Sequence, residues 1–388
     1  MTLHQLSWIC CLSSVLLGTS AQTAQSGRIL KVGPGKTYKV PSQAAAAAKD
    51  GDVVEIDAGL YNGDVAVWSA NRLVLRGIGG RAHLKVAGQN AQGKGTWVIA
   101  GNGTVVENIE FSGARVPDEN GAGIRLEGSG LTIRNCYFHD NENGILTGNN
   151  GTSDIRIEGS EFANNGAGDG RSHNIYVGGV RSFTLQNSYV HHAKVGHNVK
   201  SRAQTNYVLY NRIMDERTGT ASYEIDLPNG GRSYIIGNLI QKGVNADNPS
   251  VIAYAAEGAT NQWQELYVVN NTMVSELAEG SFLQIQGRPA SLVINNIFAG
   301  GGQVVNGTVT QSHNLTTKKS VVVDSARFDY HLPAGSAAID AGADPGSAQG
   351  FDLTPKYQYV HPLGQESRKA IDVIDIGAYE FVPGGVHD

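Results

Sequence analysis

The stretch GHNVKSRA, residues 196–203, alternates as a β-strand does, with Val199 and Ser201 on one face and Asn198, Lys200 and Arg202 on the other. An amide, an ammonium and a guanidinium are thereby aimed at one patch. A guanidinium matches a carboxylate with two parallel hydrogen bonds, and an ammonium adds a compact positive charge. Two further segments, SHNIYVGG and SYEIDLPNGG, repeat the pattern before and after. They add Asn174 and Tyr176 on one side, and Glu224 and Asp226 on the other. The dipeptide HN occurs twice, as His173-Asn174 and His197-Asn198, where the chain enters each strand. The candidate catalytic residues are Lys200, Arg202, His197, Tyr176, His173, Glu224 and Asp226. Asn174, Asn198, Tyr223, Asn229 and Arg212 are the candidate substrate-binding residues. The plainer alternative is a solubilising sheet face, with Lys200–Asp226 and Arg202–Glu224 as ordinary cross-strand ion pairs. Against it, the flanking strands carry Gly144 and Leu146, then Val251 and Ala253, which suit the walls of a groove.

A repeat along the chain must position these residues. The segments VENIEF, IRNCYF, IEGSEF, LQNSYV, LYNRIM, IGNLIQ, VNNTMV and INNIFA align on Asn108, Asn135, Gly159, Asn187, Asn211, Asn238, Asn271 and Asn296, in steps of 27, 24, 28, 24, 27, 33 and 25 residues. Such a period with alternating apolar residues marks a β-solenoid. Asparagine tolerates left-handed backbone angles, and stacked copies can hydrogen-bond from coil to coil, so this column reads as structural. Stacking the second strands with Ile124, Ile145, Ile175, Val199, Ile225 and Ile252 inward turns their neighbours outward. Rungs lie about 4.8 Å apart, which predicts Lys200 between Tyr176 and Asp226, and Asn198 between Asn174 and Glu224.

The repeat resembles that of the right-handed parallel β-helix family that includes pectate lyases, alginate lyases and polygalacturonases. The resemblance implies an all-β right-handed parallel β-helix. Residues 25–50, with SQAAAAAK as a short helix, resemble the family's N-terminal cap. Coils are expected over 51–300, and strands with a capping tail over 301–388. FDYHLPAGSAAIDAG and IDIGAYEF resemble the terminal segment of secreted bacterial β-helix proteins, so Asp340, Asp352, Asp375 and Glu380 read as structural rather than catalytic.

Members of this family act on polysaccharides, and the resemblance implies three reactions. In β-elimination from a uronate chain, one group neutralises the carboxylate, a second takes the adjacent proton and an acid assists the leaving oxygen. Arg202 suits the first role, Lys200 the second if its neighbours lower its pKa, and Tyr176 or His197 the third. Hydrolysis would use Glu224 and Asp226, about 7 Å apart on one strand, as an inverting pair. The polygalacturonase set NTD, DD, GHG and RIK is missing, with only a loose GHN. C5-epimerisation shares the first lyase step, and the DPHD motif of alginate epimerases is absent. Calcium is a second use for Glu224 and Asp226, since lyases of this fold bridge carboxylates through that ion. No His or Cys spacing suggests zinc. A non-catalytic carbohydrate-binding solenoid would instead use aromatics such as Tyr176, Tyr223, Tyr254 and Trp263.

Composition agrees with this class. The chain has 388 residues with 50 glycines and 7% aromatics, as many short strands and turns require. Residues 1–24 read as a signal peptide, with an apolar core followed by small residues, and imply a secreted or periplasmic protein. Cys10 and Cys11 would leave with it, and Cys136 alone remains, so no internal disulfide forms. After the leader no apolar run is long enough to span a bilayer. A net charge of −5 argues against nucleic acid as a partner. The expected partner is an acidic polysaccharide.

Overall fold

Ile, Val and Leu alternating with small or polar residues give strands that can bury one face, and a coil of about 25 residues stacks each such face on the last. A computed structural model describes residues 27–384; the expected leader, residues 1–24, lies outside the described residues. Each coil gives one strand to a ten-stranded parallel sheet and one or two to a broad parallel sheet of 21 strands. The narrower sheet runs along the rod through Asn143–Thr147, Ile175–Val177, Val199–Ser201, Ile225–Leu227 and Ser250–Tyr254. The chain is therefore an all-β parallel solenoid. No helix among the described residues is long and apolar enough to cross a membrane.

The expected inward column holds. Ile124, Ile145, Ile175, Val199, Ile225 and Ile252 are paired rung to rung and fully buried. Each such side chain contributes about 1.5–3 kcal/mol by leaving water. Beside them Phe111, Phe138 and Phe162 stack with ring centroids 4.8 and 4.7 Å apart.

The asparagine repeat proves to be two adjacent columns. Asn108, Asn135, Gly159 and Asn187 occupy a left-handed bend within the broad sheet, with φ between 49° and 59°. Further along, that bend falls on Tyr210, Gly237, Asn270 and Asn295. Asn211, Asn238, Asn271 and Asn296 stand one place later and are buried. There Asn211 N–H donates to Asn238 Oδ1, Asn238 N–H to Asn271 Oδ1 and Asn271 N–H to Asn296 Oδ1, each at 2.9 Å. Asparagine suits both columns for different reasons, which is why they merge in the sequence.

The helix forms over Pro41–Ala47, with Ala44 buried in the same core cluster as Trp68 near the start of the rod. Proline opens it where no N–H partner is needed. Coil strands continue past residue 300, as Gln303–Asn306, Gln311–Ser312 and Leu315–Thr317. The tail then folds back along the flank of the broad sheet. Tyr330, Leu332, Tyr359 and Tyr379 cover Met214, Leu239, Val274 and Ile297. Its acids serve the tail itself: Glu380 pairs with buried Arg368 at 2.7 Å, and Asp375 accepts the N–H groups of Asp340 and Phe381.

Candidate functional site

On the narrower sheet the outward row reads Arg125, Leu146, Tyr176, Lys200, Asp226 and Ala253 in register. Lys200 thus lies between Tyr176 and Asp226, as the alternation requires. Lys200 Nζ is 3.0 Å from Asp226 Oδ2 and 3.0 Å from Glu257 Oε1. Arg202 gives Nη2 to Glu257 Oε2 at 2.6 Å, Nη1 to Asn229 Oδ1 at 2.5 Å and Nε to the Tyr176 hydroxyl oxygen at 3.1 Å. His197 Nε2 reaches Asp226 Oδ2 at 3.3 Å. Seven side chains from four coils thereby form one network, of which Glu257 is the member the sequence reading missed.

The histidines are fixed by the backbone. His173 and His197 stack with centroids 4.6 Å apart. His173 Nδ1 accepts His197 N–H at 2.9 Å, and His197 Nδ1 accepts Tyr223 N–H at 3.2 Å. The hydrogen of each neutral ring therefore sits on Nε2, and His197 donates to Asp226. Burial, with the Lys200 charge beside it, pushes His197 down to about 3, and burial holds His173 well below its usual range. Gly196 permits this stacking, because a Cβ there would lie 1.8 Å from Ser172 O.

Charge in the cluster is uneven. Burial pulls the Lys200 ammonium down, but Asp226 and Glu257 outweigh it and leave its pKa raised. The expectation that neighbours make Lys200 a base is therefore corrected: two carboxylates at 3.0 Å keep it protonated. Burial raises Asp226 despite the Lys200 charge, and Asp226 Oδ1 is buried without a hydrogen-bond partner. Lys200, His197 and Asp226 side chains are only 9%, 9% and 4% exposed, whereas Glu257, lying against both cations, is 48% exposed.

Three residues expected to face outward are buried instead. Asn174, Asn198 and Glu224 adjoin one another in the predicted order, but at the corner where the chain turns inward before each strand. Asn174 Nδ2 donates to Asn198 Oδ1 at 2.7 Å, and Asn198 Nδ2 to Glu224 Oε2 at 2.6 Å. Glu224 ends this chain beside Lys242, 3.4 Å away, with Asp215 also near that ammonium and all three side chains fully buried. Burial first, and the Asp215 charge second, raise the Glu224 carboxyl well above the usual range. Glu224 thus cannot join Asp226 as an inverting pair, nor pair Arg202, whose anionic partner is Glu257. The same geometry removes the Glu224–Asp226 calcium donor set. One carboxylate is internal, and the other already faces an ammonium where calcium needs several free oxygens.

Arg212 lies outside the groove. It falls past the bend, on the broad sheet, pairing with Glu216 at 3.2 Å over the Tyr189 ring. Tyr223 is half-buried against His197, with ring centroids 5.2 Å apart. Tyr254 is no groove aromatic: it is buried and its hydroxyl donates to Gly231 O at 2.8 Å. Trp263 is exposed, with Arg232 5.2 Å from its ring centre. Asp118, Glu119 and Asn120 line a cavity of about 310 Å³ together with Leu146, Arg171 and Tyr176. Glu257 left no periodic signal. It stands on the loop after Ser250–Tyr254, and it reaches back 57 residues to Lys200.

The family described as right handed beta helix region matches residues 84–238. No curated protein matches the chain by sequence. The solved structure described as pectate lyase Pel9A superposes with a TM-score of 0.63 at 14% identity, over 92% of this chain and 96% of that one. The chain is a right-handed parallel β-helix protein with a pectate-lyase-like fold. At that identity the likeness carries the fold alone.

Proposed function

We propose that the protein is a secreted polysaccharide lyase that cleaves a uronate-containing chain by β-elimination. The observation that carries this reading is the grip of Lys200 and Arg202 on the Glu257 carboxylate, one oxygen to each cation at 3.0 and 2.6 Å. A uronate carboxylate offers the same two oxygens, so it can take the place of Glu257 when the loop side chain yields.

In this reading Arg202 and Lys200 stabilise the negative charge that spreads onto the carboxylate as the neighbouring C–H bond breaks. Asp226, its Oδ2 held by Lys200 and His197, accepts that proton on Oδ1, which is buried in the closed network and must be uncovered when Glu257 yields to the substrate. The electron pair forms the C4–C5 double bond and expels the glycosidic oxygen, which takes the Tyr176 hydroxyl proton. Arg202 Nε donates to that same hydroxyl oxygen and so favours the developing phenolate. His173 acts as a positioning residue beneath His197, and Asn229 orients Arg202.

The mature protein should raise ultraviolet absorbance and new reducing ends together on a polyuronate, and neither on a neutral polysaccharide. Reducing ends without absorbance would mean hydrolysis and overturn the reading. Neither signal on any polyuronate would also overturn it and leave the epimerase or a binding solenoid.

A further inference from the structure

The broad sheet carries a second cluster, built from His83, Glu110 and His139 on successive coils. Glu110 pairs directly with His83 and Tyr137 in the sheet, and His139 stands two residues past Tyr137 on the same outward face. Glu110 Oε1 lies 3.3 Å from His83 Nδ1 and 3.2 Å from His139 Nε2. The donor atoms of all three residues fall within 4.8 Å of one another.

The opposite ring nitrogens are already engaged. His139 Nδ1 is 2.8 Å from Asp140 Oδ2, and His83 Nε2 is 2.7 Å from Ser112 Oγ. A carboxylate only accepts, so His139 must donate from Nδ1 to Asp140. Its Nε2 then faces Glu110 Oε1 at 3.2 Å, on the side where the His83 Nδ1 atom also approaches that oxygen. A cation at this point would meet all three donors. His83 offers Nδ1 to the same point when Nε2–H donates to Ser112. A carboxylate or hydroxyl behind each histidine is the arrangement that orients imidazoles toward a metal.

We propose that His83, Glu110 and His139 bind a divalent transition ion of the zinc class on the face of the solenoid that belongs to the broad sheet. Two imidazoles and a carboxylate are a zinc-type donor set, and bonds of 2.0–2.2 Å put tetrahedral ligands about 3.3 Å apart, close to the two separations from Glu110. The ion retains an open coordination position. The site was hidden in the sequence because its ligands are 27 and 29 residues apart, one coil, rather than three or four.

The test is equilibrium dialysis of the mature protein against zinc, with bound metal counted by mass spectrometry and cobalt(II) absorption as a second readout. One zinc per chain and tetrahedral cobalt bands are expected. His139→Ala and Glu110→Gln should each lose the bound ion, and Asp140→Asn should weaken it about 10- to 100-fold. A His191→Ala/His192→Ala control, altering the other histidine cluster, should bind as wild type, and thermal melts confirm that each variant is folded. Wild-type protein without stoichiometric zinc would overturn the proposal. Folded His139→Ala and Glu110→Gln proteins that bind like wild type, or loss confined to the control, would overturn it as well.

Discussion

Replacing Arg202 with Ala separates catalysis from architecture. Its side chain is 23% exposed and its anionic partner Glu257 is 48% exposed, so solvent screens the pair and its stability contribution is about 1 kcal/mol or less. The inward residues of that strand, Val199 and Ser201, are untouched, and the melting temperature should fall by only about 1 °C. Turnover should respond differently. A donor aimed at charge that develops in the transition state contributes about 2.7–4 kcal/mol, a loss of roughly 10²–10³ in kcat. Initial rates from ultraviolet absorbance on a polyuronate, set beside a thermal melt of the same preparation, make the comparison. Arg202→Lys restores the charge without the two-pronged geometry and should recover part of the rate. An Arg202→Ala protein within about threefold of wild type, against the roughly 10²-fold loss expected, would refute the carboxylate clamp. A rate loss that tracks unfolding would instead give Arg202 a structural role.

Glu224→Gln should leave activity within a few-fold of wild type, because that carboxyl is buried and its raised pKa already favours the neutral form; a dead, folded variant would return Glu224 to the chemistry. Lys242→Met removes the ammonium that faces the buried Glu224–Asp215 pair and should cost about 3–5 kcal/mol in denaturant unfolding. Asp226 accepts a proton only when ionised and burial raises its pKa, so kcat/KM should climb with pH on a limb above the ordinary carboxylate range; a rate that falls with rising pH there would contradict it. Asn238→Ala removes the acceptor of Asn211 N–H and the donor to Val208 O, and unfolding should show a loss of about 2–3 kcal/mol with the groove chemistry intact.

Legibility in the sequence followed periodicity. Ile175, Val199 and Ile225 recur in phase with their strands, so the inward column, and with it the order Tyr176, Lys200, Asp226, could be read from alternation alone. The same rule misplaced Asn198 and Glu224, because they precede the paired strand residues, where the backbone is turning and its side chains point into the corner. Loop geometry was the other blind spot. Ala253 is next in the row after Asp226, and the partner of the two cations is Glu257, four residues further along the chain. Nothing in the spacing of residues 255–263 announces that partner. The Asn108 and Asn211 columns merged because one residue type serves both a left-handed bend and an amide ladder.

The most direct measurement of the central claim is the mass of oligosaccharides released from a polyuronate in water enriched in ¹⁸O. β-Elimination by the Tyr176, Lys200, Arg202 and Asp226 cluster predicts products with an unsaturated end and no ¹⁸O introduced by bond cleavage. Products that gain one water carrying the label at the broken bond would contradict it.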